Sequence, residues 1–198
     1  MTKRSALLIS VDGVNGAAVA EAARDAFSEA GRGPGGISSW DASGVFSEMV
    51  CGGDEAGPPS ARTLLLLYAS DLMFRLRWEI EPALAEGKTV VAAPYIETAV
   101  AFGRAAGLSG GWLANLFRFA RPVGERRIVD AVPPRSSAKP KGFAEFACAQ
   151  LSGYVLGLTR EQLMARTVRQ LGLAAARANR RRVTRPAGGP KLPQKHHH

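Results

Sequence analysis

The chain has 198 residues, 46% of them apolar and 22% charged, which is enough material for one globular core and excludes a disordered polar chain. The net charge is +9, yet ten of the 26 basic residues and only one of the 17 acidic residues lie from Thr159 onward. The excess belongs to a basic appendage, not to a basic fold. No apolar run approaches the ~18 residues of a membrane span. The three histidines close the chain as Lys195-His196-His197-His198, which reads as the start of an expression tag, so histidine chemistry is excluded. Cys51 and Cys148 have no metal or redox spacing and read as ordinary thiols of a reducing cytoplasm.

In chain order, Leu7 to Val11 is continuously apolar and predicts a buried parallel strand. Ala17 to Ala30 predicts a helix ended by Gly31. Arg32 to Gly36 reads as a turn, Ile37 to Trp40 as a short strand and Asp41 to Val50 as a short helix. The glycines and prolines between Cys51 and Pro59 mark a loop. Ala61 to Ala85 is one long helical pattern, with a kink expected at Pro82. Thr89 to Ala93 predicts a strand, Glu97 to Gly107 and Gly111 to Ala120 predict helices, and Arg127 to Val132 predicts a strand stopped by Pro133-Pro134. A loop follows to Gly142. Phe143, Phe146, Ala147, Leu151, Tyr154 and Val155 then recur at helical spacing. Thr159 and Gln162 predict a capping box that opens a helix reaching Leu171 and, through the alanines, Arg182. Strands alternating with helices argue an α/β domain with a parallel sheet. The expected division is a domain over 1–172 and a basic helix extension with a disordered tail over 173–198.

The strand, glycine turn and helix from Leu7 to Ala20 form the frame of a phosphate-binding loop, whose full pattern is G-x-x-x-x-G-K-[ST]. Gly13 stands at the first glycine. Ala18, Val19 and Ala20 stand where the pattern has its Gly, Lys and Ser/Thr. Neither Val nor Ala can reach a β/γ-phosphate or hold Mg²⁺.

Several segments together resemble the thymidylate kinase family of P-loop nucleoside monophosphate kinases, over roughly residues 5–135. Asp12-Gly13-Val14-Asn15-Gly16 matches the start of the family's F-E-G-x-D-G-x-G-K-[ST]. Leu66 to Leu72 and Pro82 to Lys88 match L-L-F-A-A-D-R and P-A-L-x-x-G-K. Ala93 to Gly103 falls in register with D-R-Y-x-x-S-x-x-A-Y-Q, and Val129 to Pro133 echoes L-D-V-x-P. The resemblance implies a three-layer P-loop NTPase-type sandwich with a parallel sheet of about five strands, and a homodimer formed through helices beside the sheet, such as Leu64 to Leu84. It also implies a donor-phosphate site at Asp12, Gly13, Asn15, Gly16, Ala18, Val19 and Ala20. The acceptor pocket would hold Tyr68, Asp71, Leu72, Tyr95, Phe102 and Gly103.

The departures fall on the chemistry. Val19 and Ala20 replace the Lys and the Mg²⁺-side hydroxyl, Leu72 replaces the Arg of A-D-R, and Ala93 and Pro94 replace the Asp and Arg of D-R-Y. Gly103 replaces the base-reading Gln, and the Arg-rich lid is reduced to Lys139 and Lys141. Because phosphoryl transfer rests on positioned cations and Mg²⁺, the expected protein is a degenerate, catalytically inactive member that binds or scaffolds, with no catalytic residue, no metal and no cofactor assigned. One alternative is a dTMP-type kinase with weak or altered activity that binds Mg-ATP through backbone amides and borrows Arg75, Arg104 or Lys139. The other is binding of nucleic acid or an acidic protein through Arg177, Arg180, Arg181, Arg182 and Arg185.

Each retained group also has a plain structural reading. Gly13 and Gly16 make a tight turn, Asp12 caps it, and Asp71 pairs with Arg75 four residues on. Tyr68, Tyr95 and Phe102 are core aromatics or a base-stacking wall. Asp130 is a strand-end cap or a Mg²⁺ ligand.

Overall fold

Apolar continuity makes β1 (Leu7–Gly13) a central strand, because both of its faces must be covered. In the computed structural model, which describes residues 6–31, 34–46, 48, 57–130, 142–151, 153 and 157–183, β1 is flanked by β3 (Thr89–Ala93) and β4 (Glu125–Val129). β2 (Pro34–Ser39) closes the other side, giving the order β2-β3-β1-β4 with every pair parallel. The sheet thus has four strands among the described residues, where about five are expected. Residues 154–156, in the stretch that would carry a further strand, lie outside those described, and Gly153 N–H donates to Leu158 O across it (2.8 Å).

Helices cover both faces, and the side-chain alternation of β1 sorts the core. Ile9 and Val11 face one side with Val91 and Ala93, against Val19, Ala23 and Ala26 of α1 (Gly16–Glu29). Leu8, Val90 and Ala92 face the other, larger core. That core is built on α2 (Ala61–Arg75), α4 (Glu97–Ala105), α5 (Gly110–Leu116), α6 (Phe143–Leu151) and α7 (Arg160–Val183). A small aliphatic layer on one face and an aromatic-rich layer on the other make the three-layer sandwich.

The long pattern Ala61 to Ala85 is one continuous rod, with a π-helical turn (Leu76–Ile80) joining α2 to α3 (Glu81–Ala85). The irregularity falls just before Pro82, which has no N–H for the carbonyl four residues back. The Thr159–Gln162 capping box forms reciprocally, and α7 runs unbroken through Gly172. β2 begins at Pro34, so part of the expected Arg32-to-Gly36 turn is strand. A Cβ at Gly35 would lie 2.0 Å from Thr89 O, so glycine is required where β2 meets β3. Among the described residues no helix is long and apolar enough to cross a membrane.

Candidate functional site

In this strand order β1 leads to a strand on one side and β3 to a strand on the other. The crevice at their carboxyl ends is therefore where an open α/β sheet places its ligands. Here β1 ends at Gly13 and α1 starts at Gly16, so Val14 and Asn15 alone join them. The strand is longer and the helix begins earlier than the apolar pattern predicts, because Asn15 is the N-cap: its Oδ1 accepts from Ala18 N–H (3.1 Å) and its carbonyl from Val19 N–H (2.9 Å). The helix is wound through positions that a phosphate-wrapping loop would leave open. Val19, at the lysine position, is 4% exposed and packed in the α1 core; Ala20 faces solvent. A Cβ at Gly13 would lie 2.7 Å from Val19 Cγ2, so this turn is tight because the side chain beside it is core.

Two further amides of the turn have internal partners. Gly13 N–H donates to Thr98 Oγ1 (3.0 Å) and Gly16 N–H to Glu145 Oε2 (3.1 Å). Glu145 is buried on α6, and it reaches Gly16 because α6 is entered through Gly142. A Cβ at Gly142 would lie 2.7 Å from Gly16 Cα. A carboxylate of the protein therefore occupies the helix N-terminus, where backbone amides and the helix dipole favour an anion.

Asp12 is fully buried and bonds to the start of α4, not to its own turn. Its Oδ1 accepts from Tyr95 N–H (3.0 Å), Thr98 N–H (3.0 Å) and Thr98 Oγ1 (2.9 Å), tying the end of β1 to the start of α4. Burial pushes its pKa up to about 6 from 3.8, with the Thr98 hydrogen bonds pulling the other way. Arg75, 1% exposed, pairs with Asp71 (2.8 Å), as their spacing predicts, and donates to Pro94 O (3.2 Å). Its guanidinium lies over the Tyr68 ring (5.8 Å), and the Tyr68 hydroxyl donates to Tyr95 O and Pro94 O. Arg75 is thus a structural clamp on the Ala93-Pro94-Tyr95 turn.

Two of the acceptor-pocket candidates, Tyr68 and Phe102, come together, but around a side chain. The Phe143 ring lies 4.4 Å from Tyr68, 5.7 Å from Phe102 and 5.9 Å from Trp40. Tyr68, Leu72, Tyr95 and Phe102 are all buried, so the three aromatics take their core reading. Gly103 is packed between helices: a Cβ there would lie 2.6 Å from Leu113 Cδ2 and 2.9 Å from Leu65 Cδ1. Of the substitute cations, Arg75 is locked in the core and Arg104 lines a different cleft, while Lys139 lies outside the described residues. Arg177 lines that same cleft. Arg180, Arg181 and Arg182 continue α7, and Arg185 and Cys51 lie outside the described residues. Cys148 is buried, and its thiol is pushed up to about 12 by desolvation, which makes it unreactive.

Sequence reasoning placed Phe143 on a helix but missed Glu145 and Thr98. The available signal for Glu145 is a lone carboxylate inside Phe143-Ala144-Glu145-Phe146-Ala147-Cys148, an apolar run that no exposed acid would share.

No family model matches this chain, and no curated protein does. Among solved structures the fold is similar to a thymidylate kinase from Ehrlichia chaffeensis, with a TM-score of 0.57 and 13% identity over 89% of this chain and 83% of that one. At that identity the likeness shows a shared α/β fold alone.

Proposed function

We propose that this protein keeps the frame of a thymidylate kinase-like enzyme and works by binding or scaffolding, without ATP-dependent phosphoryl transfer. One observation supports the reading: helix α6 reaches into both parts of the crevice, with Glu145 on the Gly16 amide and Phe143 on the Tyr68 ring. On this reading Glu145 competes with a donor phosphate for the Gly16 amide, and Phe143 competes with an acceptor base for the Tyr68 ring. Arg75 is tied to Asp71 and to the turn after β3, so it is not free to bind a transferring phosphoryl group. The partner we assign is a second copy of the chain. Leu66, Met73, Phe74 and Trp78 are 52%, 55%, 65% and 61% exposed along the rod formed by α2 and its π turn, an apolar stripe suited to a two-fold interface.

Calorimetric titration with Mg-ATP and with dTMP tests the first part: no heat of binding at millimolar ligand is expected, and micromolar binding with turnover would overturn it. Sedimentation velocity tests the second. The parent is expected to run as a dimer and Phe74→Glu/Trp78→Glu as a folded monomer; a monomeric parent would refute the assignment.

A further inference from the structure

A second cleft lies on the opposite stripe of α4. Glu97, Val100, Ala101 and Arg104 are spaced i, i+3, i+4, i+7, and so are Gln170, Leu173, Ala174 and Arg177 of α7. The two stripes line one cleft of about 410 Å³, the size range of small-ligand sites. Arg126 of β4 completes the lining and is already matched, its Nη1 lying 2.7 Å from Glu97 Oε1. Arg104 and Arg177 have no carboxylate partner among the described residues, so the cleft carries three arginines against one acid. Between them the walls are aliphatic, and Leu173 is 46% exposed there.

We propose that this cleft binds a small organic anion, with Arg104 and Arg177 holding its phosphate or carboxylate and Val100, Ala101, Leu173 and Ala174 covering its apolar part. Low-dielectric walls focus the field of like charges gathered in a groove, and the planar guanidinium matches both oxyanions with paired hydrogen bonds. The cleft does not depend on the state of the crevice at the ends of β1 and β3. The chain's own segments outside the described residues next to α7 are basic, from Thr184 to His198, and do not complement it.

Calorimetry on the full chain with phenyl phosphate and with benzoate, and with benzyl alcohol as the neutral analogue, tests the proposal. Submillimolar binding of phenyl phosphate or benzoate, weakening with salt, is expected, with no binding of the alcohol. Arg104→Ala/Arg177→Ala should lose about tenfold or more in affinity, while Arg118→Ala, altering an exposed arginine outside the lining, should bind as the parent does. Tighter phenyl phosphate would assign a phosphate ester and tighter benzoate a carboxylate. Absence of binding at millimolar concentration, or equal affinity in the double variant, would overturn the proposal.

Discussion

Helix α4 separates two concavities that have met opposite fates. Its inner stripe, Thr98 and Phe102, belongs to the crevice at the ends of β1 and β3, where the Gly13 and Gly16 amides and Asp12 Oδ1 are bonded by the protein itself, Phe143 packs on Phe102, and Asp12 Oδ2 is buried with no hydrogen-bond partner among the described residues. Its outer stripe, Val100 and Arg104, belongs to the cleft against α7, where two arginines are left without a carboxylate partner among the described residues and aliphatic wall is left uncovered. The lesson is that a fold's usual ligand crevice is judged by what its amides and rings already touch. Buried polar groups need partners, and here Thr98 of α4 and Glu145 of α6 supply them to the Gly13 and Gly16 amides. In the outer cleft solvent does the same work at little cost, and cations remain available to a ligand.

The largest effect is expected at Val19. Val19→Lys introduces the residue type of a phosphate-binding loop but sends an ammonium into the aliphatic core of α1, where it has no counterion. A loss on the order of 5 kcal/mol is expected in urea denaturation, with no gain in Mg-ATP binding by calorimetry. Tight nucleotide binding by a stable Val19→Lys protein would mean that the closed crevice opens.

Next in size is Phe143→Ala. Removing a ring in contact with Tyr68 and Phe102 is expected to lower stability by about 3–4 kcal/mol. The resulting cavity should take up indole or benzene, read as a ligand-dependent rise in melting temperature that the parent does not have.

Asp12 sharpens the contrast through pH. Its carboxyl titrates near 6 in the fold against 3.8 in the unfolded chain, so it favours folding fully below about pH 4 and loses that contribution as the pH rises through about 6. A shift of this size corresponds to roughly 3 kcal/mol. Asp12→Asn keeps the Oδ1 acceptor and cannot ionise. Its stability relative to the parent should therefore rise between about pH 4 and pH 7 in paired urea titrations. Parallel profiles would show that the burial cost is offset elsewhere.

The smallest effect is expected at Glu145. Losing a charged hydrogen bond to the Gly16 amide in Glu145→Ala should cost about 1.5–2 kcal/mol. It should also leave the helix N-terminus able to take up sulfate, seen as salt-specific stabilisation by sulfate over chloride.

Much of the frame is legible along the chain. The continuous runs Leu7 to Val11 and Thr89 to Ala93 mark buried parallel strands, the Asp71–Arg75 spacing marks their ion pair, and Thr159 with Gln162 marks the cap of α7. These are local matters, settled by periodicity, capping and near neighbours in sequence. That Val19, Ala20, Leu72, Pro94 and Gly103 stand where the resemblance would expect polar or charged side chains is also plain in one dimension, because an aliphatic residue or a glycine supplies no cation, hydroxyl or amide. Tertiary structure alone decided what stands in place of that chemistry. Glu145 meets Gly16 across 129 positions of sequence and Thr98 meets Asp12 across 86. No periodicity predicts which helix crosses which turn. The same holds for the outer cleft, whose two stripes read separately as ordinary helix faces and gain meaning only when α4 and α7 stand side by side. Burial and charge matching are properties of neighbours in space, and a sequence orders neighbours only along the chain.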